Sequence, residues 1–138
     1  MDRLEIQFVD GGGYVKAAAY VEFAETPESR RVGLSRRSDL ADTGGMLFDK
    51  AGVYWMKDVN FSLDLLFLDK QGEILEHHHM PIDREGIKLY APMTLKAAHA
   101  LELPAGGLLN MDLRQVIGSR SLMWTKAKRC DMIHDINL

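Results

Sequence analysis

Apolar and polar residues alternate near the start of the chain. Residues 4–9 read Leu-Glu-Ile-Gln-Phe-Val, and residues 10–13 read Asp-Gly-Gly-Gly. Alternation with a period of two is typical of a strand that buries one face, and clustered glycines favour a turn. We therefore predict a strand at 4–9 and a hairpin whose returning strand covers residues 14–23.

A second alternating stretch lies in the middle of the chain. Between residues 61 and 67, Phe-Ser-Leu-Asp-Leu-Leu-Phe places four apolar residues on one face, with Ser62 and Asp64 on the other. Residues 69–72 have the composition of a turn, so we predict a hairpin with residues 73–79 as its second strand.

The segments around this hairpin carry weaker patterns. Trp55, Lys57 and Val59 are spaced to share one face of a preceding strand. We expect a long charged loop from Pro81 to Pro92, and a further strand at residues 96–103.

One helix start is marked by the sequence Thr26-Pro27-Glu28. Threonine caps free amides, proline suits the first helical position, and an acid there complements the helix dipole. We predict a helix from Pro27 to about Arg37, with Val32 and Leu34 on its apolar side.

Length and composition indicate one ordinary globular domain. The chain has 138 residues, 46% hydrophobic and 27% charged, with a net charge of −3. This charge gives no electrostatic basis for binding nucleic acid or an anionic membrane, and we expect neither partner. The single cysteine, Cys130, excludes an intramolecular disulfide, and the first residues lack the apolar stretch of a secretion signal. We expect a cytoplasmic protein, or one in a virion assembled in the cytoplasm.

The predicted fold class is α+β and mostly β: a small barrel- or sandwich-like antiparallel sheet with one or two short helices. Residues 1–121 are expected to form the domain. Residues 122–138 are expected to be an extension, either packed on the domain as a helix or binding a partner.

Five segments, taken in order, resemble the family called domain of unknown function 192. They are Ala-Glu-Thr-Pro-Glu-Ser-Arg-Arg-Val-Gly-Leu at 24–34, Gly-Met-Leu-Phe at 45–48, Tyr-Trp-Met-Lys at 54–57, Leu-Asp-Leu-Leu-Phe-Leu-Asp at 63–69 and Leu-Glu-Leu-Pro-Ala-Gly at 101–106. The resemblance implies a compact β-rich fold with one or two short helices and no established general activity. This chain departs from the family pattern at Asp58, Val59 and Ser62.

The first candidate site combines Trp55, Lys57, Asp64 and His78. An aromatic wall, a cation and a carboxylate in one cleft would suit a small polar ligand. The structural alternative places Trp55 in the core and pairs Lys57 with Asp64, because unpaired charge in an apolar hairpin is costly.

The triplet at residues 77–79 supplies the second candidate. On a strand, His77 and His79 share a face, and two imidazoles could begin a metal site. A stable metal site needs further ligands, so we predict no metal and no cofactor. If a metal does bind, His77 and His79 are the candidate ligands.

No catalytic motif is present, and we predict no catalytic residue. Cys130 is interpreted as an ordinary thiol. Asp64 and Glu102 could serve as an acid and base pair only if folding brings them together.

Three functions remain open. The first is a non-catalytic module that docks to a protein partner, a second copy or an assembly such as a phage particle, with Trp124 and Met132 in the tail as contacts. The second is a domain that binds a small polar ligand or carbohydrate. The third is an uncharacterised hydrolase.

Overall fold

A computed structural model describes residues 3–40, 44–106 and 122–129, the last range by its backbone alone. One helix and seven strands follow in chain order: β1 (Arg3–Val9), β2 (Val15–Ala24), α1 (Pro27–Val32), β3 (Met46–Phe48), β4 (Leu63–Leu68), β5 (Ile74–Met80), β6 (His99–Pro104) and β7 (Leu122–Arg129). The predicted class, mostly β with a short helix, is confirmed.

The strands form one sheet in the order β5-β4-β6-β3-β2-β1-β7. Among these strands β5 and β7 lie at opposite edges, so the sheet is open rather than closed into a barrel. The neighbours are antiparallel except β2 and β3, which run parallel. A parallel pair needs a crossover, and the connection containing α1 provides it. The sheet is therefore mixed, where the sequence predicted an antiparallel one.

Both predicted hairpins are present, and an aspartate shapes each turn. The carboxylate of Asp10 accepts hydrogen bonds from the backbone N–H groups of Gly12 and Tyr14, at 2.9 and 3.1 Å. Asp69 accepts from two backbone N–H groups of the β4–β5 turn in the same way. These side-chain bonds replace backbone pairing where each chain reverses.

Each face of the sheet carries its own buried apolar cluster. All six residues of β4 are buried, because the strand lies inside the sheet with packing on both sides. The first face contains Leu4, Ile6, Phe8, Ala19, Val21, Phe23, Leu47, Leu66, Leu68, Ile74, Leu101 and Leu103. The second face contains Ala24, Leu34, Met46, Phe48, Met56, Val59, Leu63, Leu65, Phe67, Met80, Tyr90 and Ala100.

Helix α1 is shorter than predicted. It begins as expected, with the Thr26 side chain accepting from the backbone of Ser29, but it ends at Val32 rather than Arg37. Gly33 has φ +52°, a conformation that ends a helix and suits glycine. Leu34 is then buried at 1% exposure, whereas Val32 is 41% exposed. The predicted apolar face is therefore wrong at Val32.

The predicted strand around Trp55 is not formed. Only an isolated bridge between Tyr54 and Tyr90 interrupts this loop. Met56 and Val59 are buried, while Trp55 and Lys57 are exposed. The prediction that Trp55, Lys57 and Val59 share one face of a strand was wrong. This segment is a loop, and the direction of each side chain depends on where the loop is attached to the core, not on the alternation of a strand.

The tail supplies an additional strand. β7 pairs antiparallel with β1, with Trp124 opposite Ile6, so the helix considered for the tail is wrong over residues 122–129. Cys130 and Met132 lie outside the described residues.

No helix in the described part of the chain is long and apolar enough to cross a membrane.

Candidate functional site

A cleft of about 840 Å³ opens on the second face of the sheet. This volume is within the range of clefts that hold small molecules. The walls come from α1 and the turn after it, from the loop at 50–59, and from strands β3 and β6. The charged residues and the Tyr and Trp residues that line it are Arg30, Arg31, Arg36, Lys50, Tyr54, Trp55, Lys57, Asp58 and Glu102.

The first wall depends on how α1 ends. After Gly33, the buried Leu34 anchors the chain, and Arg36 follows with φ +63°. The backbone N–H of Arg36 donates to the carbonyl of Asp58 at 2.8 Å. This bond joins the segment after the helix to the opposite wall, and Arg36 is one of the residues that line the cleft.

The second wall is the loop at residues 50–59, which is attached to the core and to the segment at residues 84–86. Met56 and Val59 pack into the core, and Asp58 donates its backbone N–H to the carbonyl of Arg84 at 3.0 Å. Gly86 lies so close that a Cβ there would be 2.6 Å from the Cβ of Lys57. The loop is therefore fixed by backbone contacts and leaves other side chains facing out.

Two of those side chains form the rim. Trp55 is 51% exposed, and the ammonium of Lys57 lies 5.5 Å from the centroid of its ring. That distance allows a cation–π interaction. A half-exposed indole provides flat apolar contact area beside a positive charge.

Glu102 lies on β6, inside the sheet, and lines the cleft. Its side chain is 4% exposed and has no hydrogen-bond partner among the described residues. Burial raises the pKa of Glu102 from 4.5 to about 8, because a charged carboxylate is poorly solvated there. At neutral pH the group is mainly protonated, so it can both donate and accept a hydrogen bond.

Tyr54 lies between the cleft and the core. Its ring contacts Phe48 at 4.9 Å and Phe67 at 6.0 Å, between centroids. Burial raises the pKa of Tyr54 above its usual value, and Glu102, which becomes charged above about pH 8, raises it further. The phenol therefore stays protonated at neutral pH.

The cleft carries more positive than negative charge. Arg30 is paired with Asp49 at 2.6 Å, and Arg31 is paired with Glu28 at 2.6 Å. Three further cations have no ion-pair partner within residues 3–40 and 44–106; they are Arg36, Lys50 and Lys57. The carboxyl groups among the lining residues are those of Asp58 and Glu102.

Asp64 lies on the other face of the sheet, so it pairs with neither Lys57 nor Glu102. It is 5% exposed, and one of its oxygens contacts His77 Nε2 at 3.2 Å and His79 Nδ1 at 3.3 Å. Its other oxygen accepts the backbone N–H of Gly106 at 3.1 Å. The three side chains thus form a hydrogen-bonded group across β4 and β5.

His77 and His79 do share a face, as the alternation predicted, and their common partner is Asp64. In the described ranges, no group of three or more His, Cys, Asp or Glu side chains is arranged to hold a metal ion.

His78 packs instead within the second face. Its ring lies 5.7 Å from that of Phe67 and 6.2 Å from that of Tyr90, and its Nε2 is 3.0 Å from a carboxylate oxygen of Glu76. His78 is absent from the residues that line the cleft.

Of the four residues proposed from the sequence, the cleft brings together Trp55 and Lys57 but not Asp64 or His78. The structural alternative also fails for Trp55, which is not in the core. Sequence reasoning missed Arg30, Arg36 and Glu102 as cleft residues. The available signal was Leu101-Glu102-Leu103, an acid inside an otherwise apolar strand.

Solved structures of other proteins share this fold. A protein from Sinorhizobium meliloti 1021, described as a candidate transcription regulator, has a similar structure, with a TM-score of 0.73 and 26% identity over 88% of this chain and 93% of its own. A protein of unknown function from Novosphingobium aromaticivorans DSM 12444 has a TM-score of 0.68 and 18% identity, over 88% of this chain and 85% of its own. No curated protein matches the chain.

The sequence resemblance to an uncharacterised family is confirmed. The profile of the DUF192 family, described as an uncharacterised ACR, matches residues 8–116. This range includes the helix, both walls of the cleft and Glu102. The chain therefore belongs to the DUF192 family.

Proposed function

We propose that this protein binds a small polar molecule in the cleft, with Glu102 at its floor and Trp55 and Lys57 at its rim. The observation that carries this function is the buried Glu102 carboxyl group, which has no hydrogen-bond partner in the described part of the chain and lines an open cleft. The carboxyl group therefore has hydrogen-bonding capacity that the described residues do not use. A ligand hydroxyl or amide would supply the missing bond.

The rim adds contact area and orientation to that single polar group. The half-exposed ring of Trp55 offers a flat surface, and the Lys57 ammonium beside it fixes the direction of a polar ligand. Since backbone contacts to Asp58 and Gly86 hold the loop, the rim needs little reordering when a ligand enters. We therefore expect a preformed site.

A thermal-shift screen tests this function, using sugars, nucleotides and amino acids as probes. We expect at least one class to raise the melting temperature of the wild-type protein, and the Trp55→Ala and Glu102→Leu variants to lose that shift. Each variant is compared with its own unliganded melting temperature, which separates lost binding from lost stability.

Lys88→Gln is the matched control, because Lys88 also lies over an aromatic ring, 5.1 Å from the centroid of Tyr90, but does not line the cleft. Its ligand shift should equal that of the wild type. Absence of any hit across the three classes, or equal shifts in all variants, would remove the cleft as a binding site.

Docking to a protein is a second candidate, favoured by one observation. The loop between β5 and β6 exposes several large apolar side chains; they are Ile82, Ile87, Leu89, Met93 and Leu95. Clustered apolar exposure is typical of interaction surfaces. We expect the wild-type protein to self-associate at micromolar concentration, and the Met93→Ser/Leu95→Ser double variant to be monomeric. Light scattering that finds both proteins monomeric would contradict self-association.

The sequence-based location and partner assignments remain part of this proposal. A single cysteine suits a reducing, cytoplasmic compartment. The tail contacts that we propose, in a cellular complex or a phage particle, are Trp124 and Met132. Trp124→Ala tests the first, and deletion of residues 130–138, which keeps Trp124, tests the second. Unchanged self-association after that deletion would count against Met132.

A further inference from the structure

We infer that the ligand of this cleft is an acidic carbohydrate, meaning a sugar that carries a carboxylate or phosphate group. This inference rests on the proposed function and names the chemistry of the ligand. Three parts of the cleft each select one feature: a negative charge, a hydroxyl group and an apolar ring face.

The negative charge is selected by the rim. Arg30 and Arg31 already have carboxylate partners, but Arg36 and Lys57 have none among residues 3–40 and 44–106. These two cations come from opposite walls, which the bond from the Arg36 N–H to the Asp58 carbonyl brings together. A ligand anion between them would gain charge-assisted hydrogen bonds from both sides.

The hydroxyl group is selected by the floor. Glu102 is buried without a hydrogen-bond partner among the described residues and is mainly neutral. A neutral carboxyl group donates one hydrogen bond and accepts others, which matches a hydroxyl that does the same. A ligand ammonium is disfavoured, because Arg36, Lys50 and Lys57 line the same cleft and repel a cation.

The apolar ring face is selected by Trp55. Its indole is half exposed beside Lys57, so one flat surface and one cation are adjacent. A sugar ring carries C–H groups that can lie against an indole, while its acidic substituent reaches the neighbouring cation. The cleft is large enough for a monosaccharide and its substituent.

Isothermal titration calorimetry with four probes tests the inference. The acidic probes are glucuronate and glucose 6-phosphate, and the matched probes are neutral glucose and cationic glucosamine. We expect at least one acidic probe to bind at least tenfold more tightly than glucose, with no measurable binding of glucosamine. Raising the salt concentration should weaken the acidic probe and leave glucose unchanged.

Variants assign the effect to the rim. Lys57→Gln should weaken the acidic probe about tenfold, the loss expected for a charge-assisted hydrogen bond, and should not change the binding of glucose. Lys88→Gln, which alters the second lysine that lies over a ring, should change neither. An equal loss in both variants would overturn the role of the rim.

The outcomes separate this inference from the proposed function. If a different class of molecule binds the cleft and neither acidic probe binds more tightly than glucose, the inference is overturned while the cleft remains a binding site. If no molecule of any class binds, the proposed function is lost as well.

Discussion

Two buried carboxyl groups lie on adjacent strands of this sheet but have opposite surroundings. Asp64 on β4 faces one side, where His77, His79 and the Gly106 N–H contact its oxygens. Glu102 on β6 faces the other side, has no hydrogen-bond partner among the described residues, and lines the cleft. Burial alone therefore does not distinguish a structural carboxyl group from one available to a ligand; its partners do.

The desolvation cost of burying the carboxyl group is also offset differently at the two sites. The cost of burying the Asp64 carboxylate is offset by hydrogen-bond donors that are fixed within the fold. These hydrogen bonds link β4 to β5 and to the turn after β6. Glu102 is instead kept mainly neutral, since burial raises its pKa to about 8.

Among the two carboxyl groups and the cleft residues, the largest effect is expected from removing the Asp64 carboxylate. Asp64→Ala should lower the free energy of unfolding by about 3 kcal/mol, because it removes the acceptor of three hydrogen bonds, from the Gly106 N–H and from the rings of His77 and His79. Asp64→Asn keeps an oxygen acceptor and should cost about 1 kcal/mol. Urea unfolding measures both, and a loss near zero for Asp64→Ala would end the contrast.

Glu102→Gln should raise the free energy of unfolding, whereas Asp64→Ala lowers it. Between pH 4.5 and 8 the unfolded chain releases the Glu102 proton while the folded state keeps it, so this group's stabilising contribution is complete below pH 4.5 and is lost as the pH rises to about 8. The slope is on the order of 1 kcal/mol per pH unit.

The glutamine variant lacks this loss. It should be more stable than the wild type by about 3 kcal/mol near pH 7, with the difference growing from pH 5 to pH 8. Urea unfolding of both proteins at each pH gives the difference, in which the other titrating groups largely cancel. Parallel stability curves would contradict a buried, neutral Glu102.

Gly86→Ala should loosen the cleft wall. The new Cβ would be 2.6 Å from the Cβ of Lys57, and φ is +66°. We expect a loss of about 2 kcal/mol. Gly13→Ala is the control, since Gly13 has φ +86° but no neighbouring atom within 4 Å, so backbone strain of about 1 kcal/mol is its main cost. Equal melting temperatures for the two variants would argue against the close contact.

The smallest effect is expected at the rim. Trp55→Leu should change the free energy of unfolding by less than about 0.5 kcal/mol, because half of the indole is exposed. Its neighbour Met56 is buried, and Met56→Ala should cost about 3 kcal/mol. A loss of similar size at Trp55 would mean that the ring serves the core and not the cleft.

The fold was predictable where local patterns decide it. Both hairpins follow from period-two alternation joined by short turns, and Thr26 with Pro27 marks the helix start. The length of α1 was not predictable from its apolar pattern, because Gly33 ends it by adopting a positive φ.

The candidate site was less predictable because it depends on contacts distant in sequence. The alternation at Trp55 imitated a strand, whereas the loop is held by Arg84 and Gly86, almost thirty residues away. The partnership of Asp64 with His79 could have been found from the hairpin register, which places them opposite each other. That Glu102 has no hydrogen-bond partner among the described residues could not have been found from the sequence, since it depends on which residues pack against β6.

The most direct test of this contrast is the titration of Glu102 itself. Carboxyl carbon-13 NMR on protein labelled at glutamate, assigned with Glu102→Gln, should give one resonance with a midpoint at about pH 8. A midpoint near 4.5, the ordinary value for glutamate, would mean that Glu102 is solvated or partnered, and the floor of the proposed site would be lost.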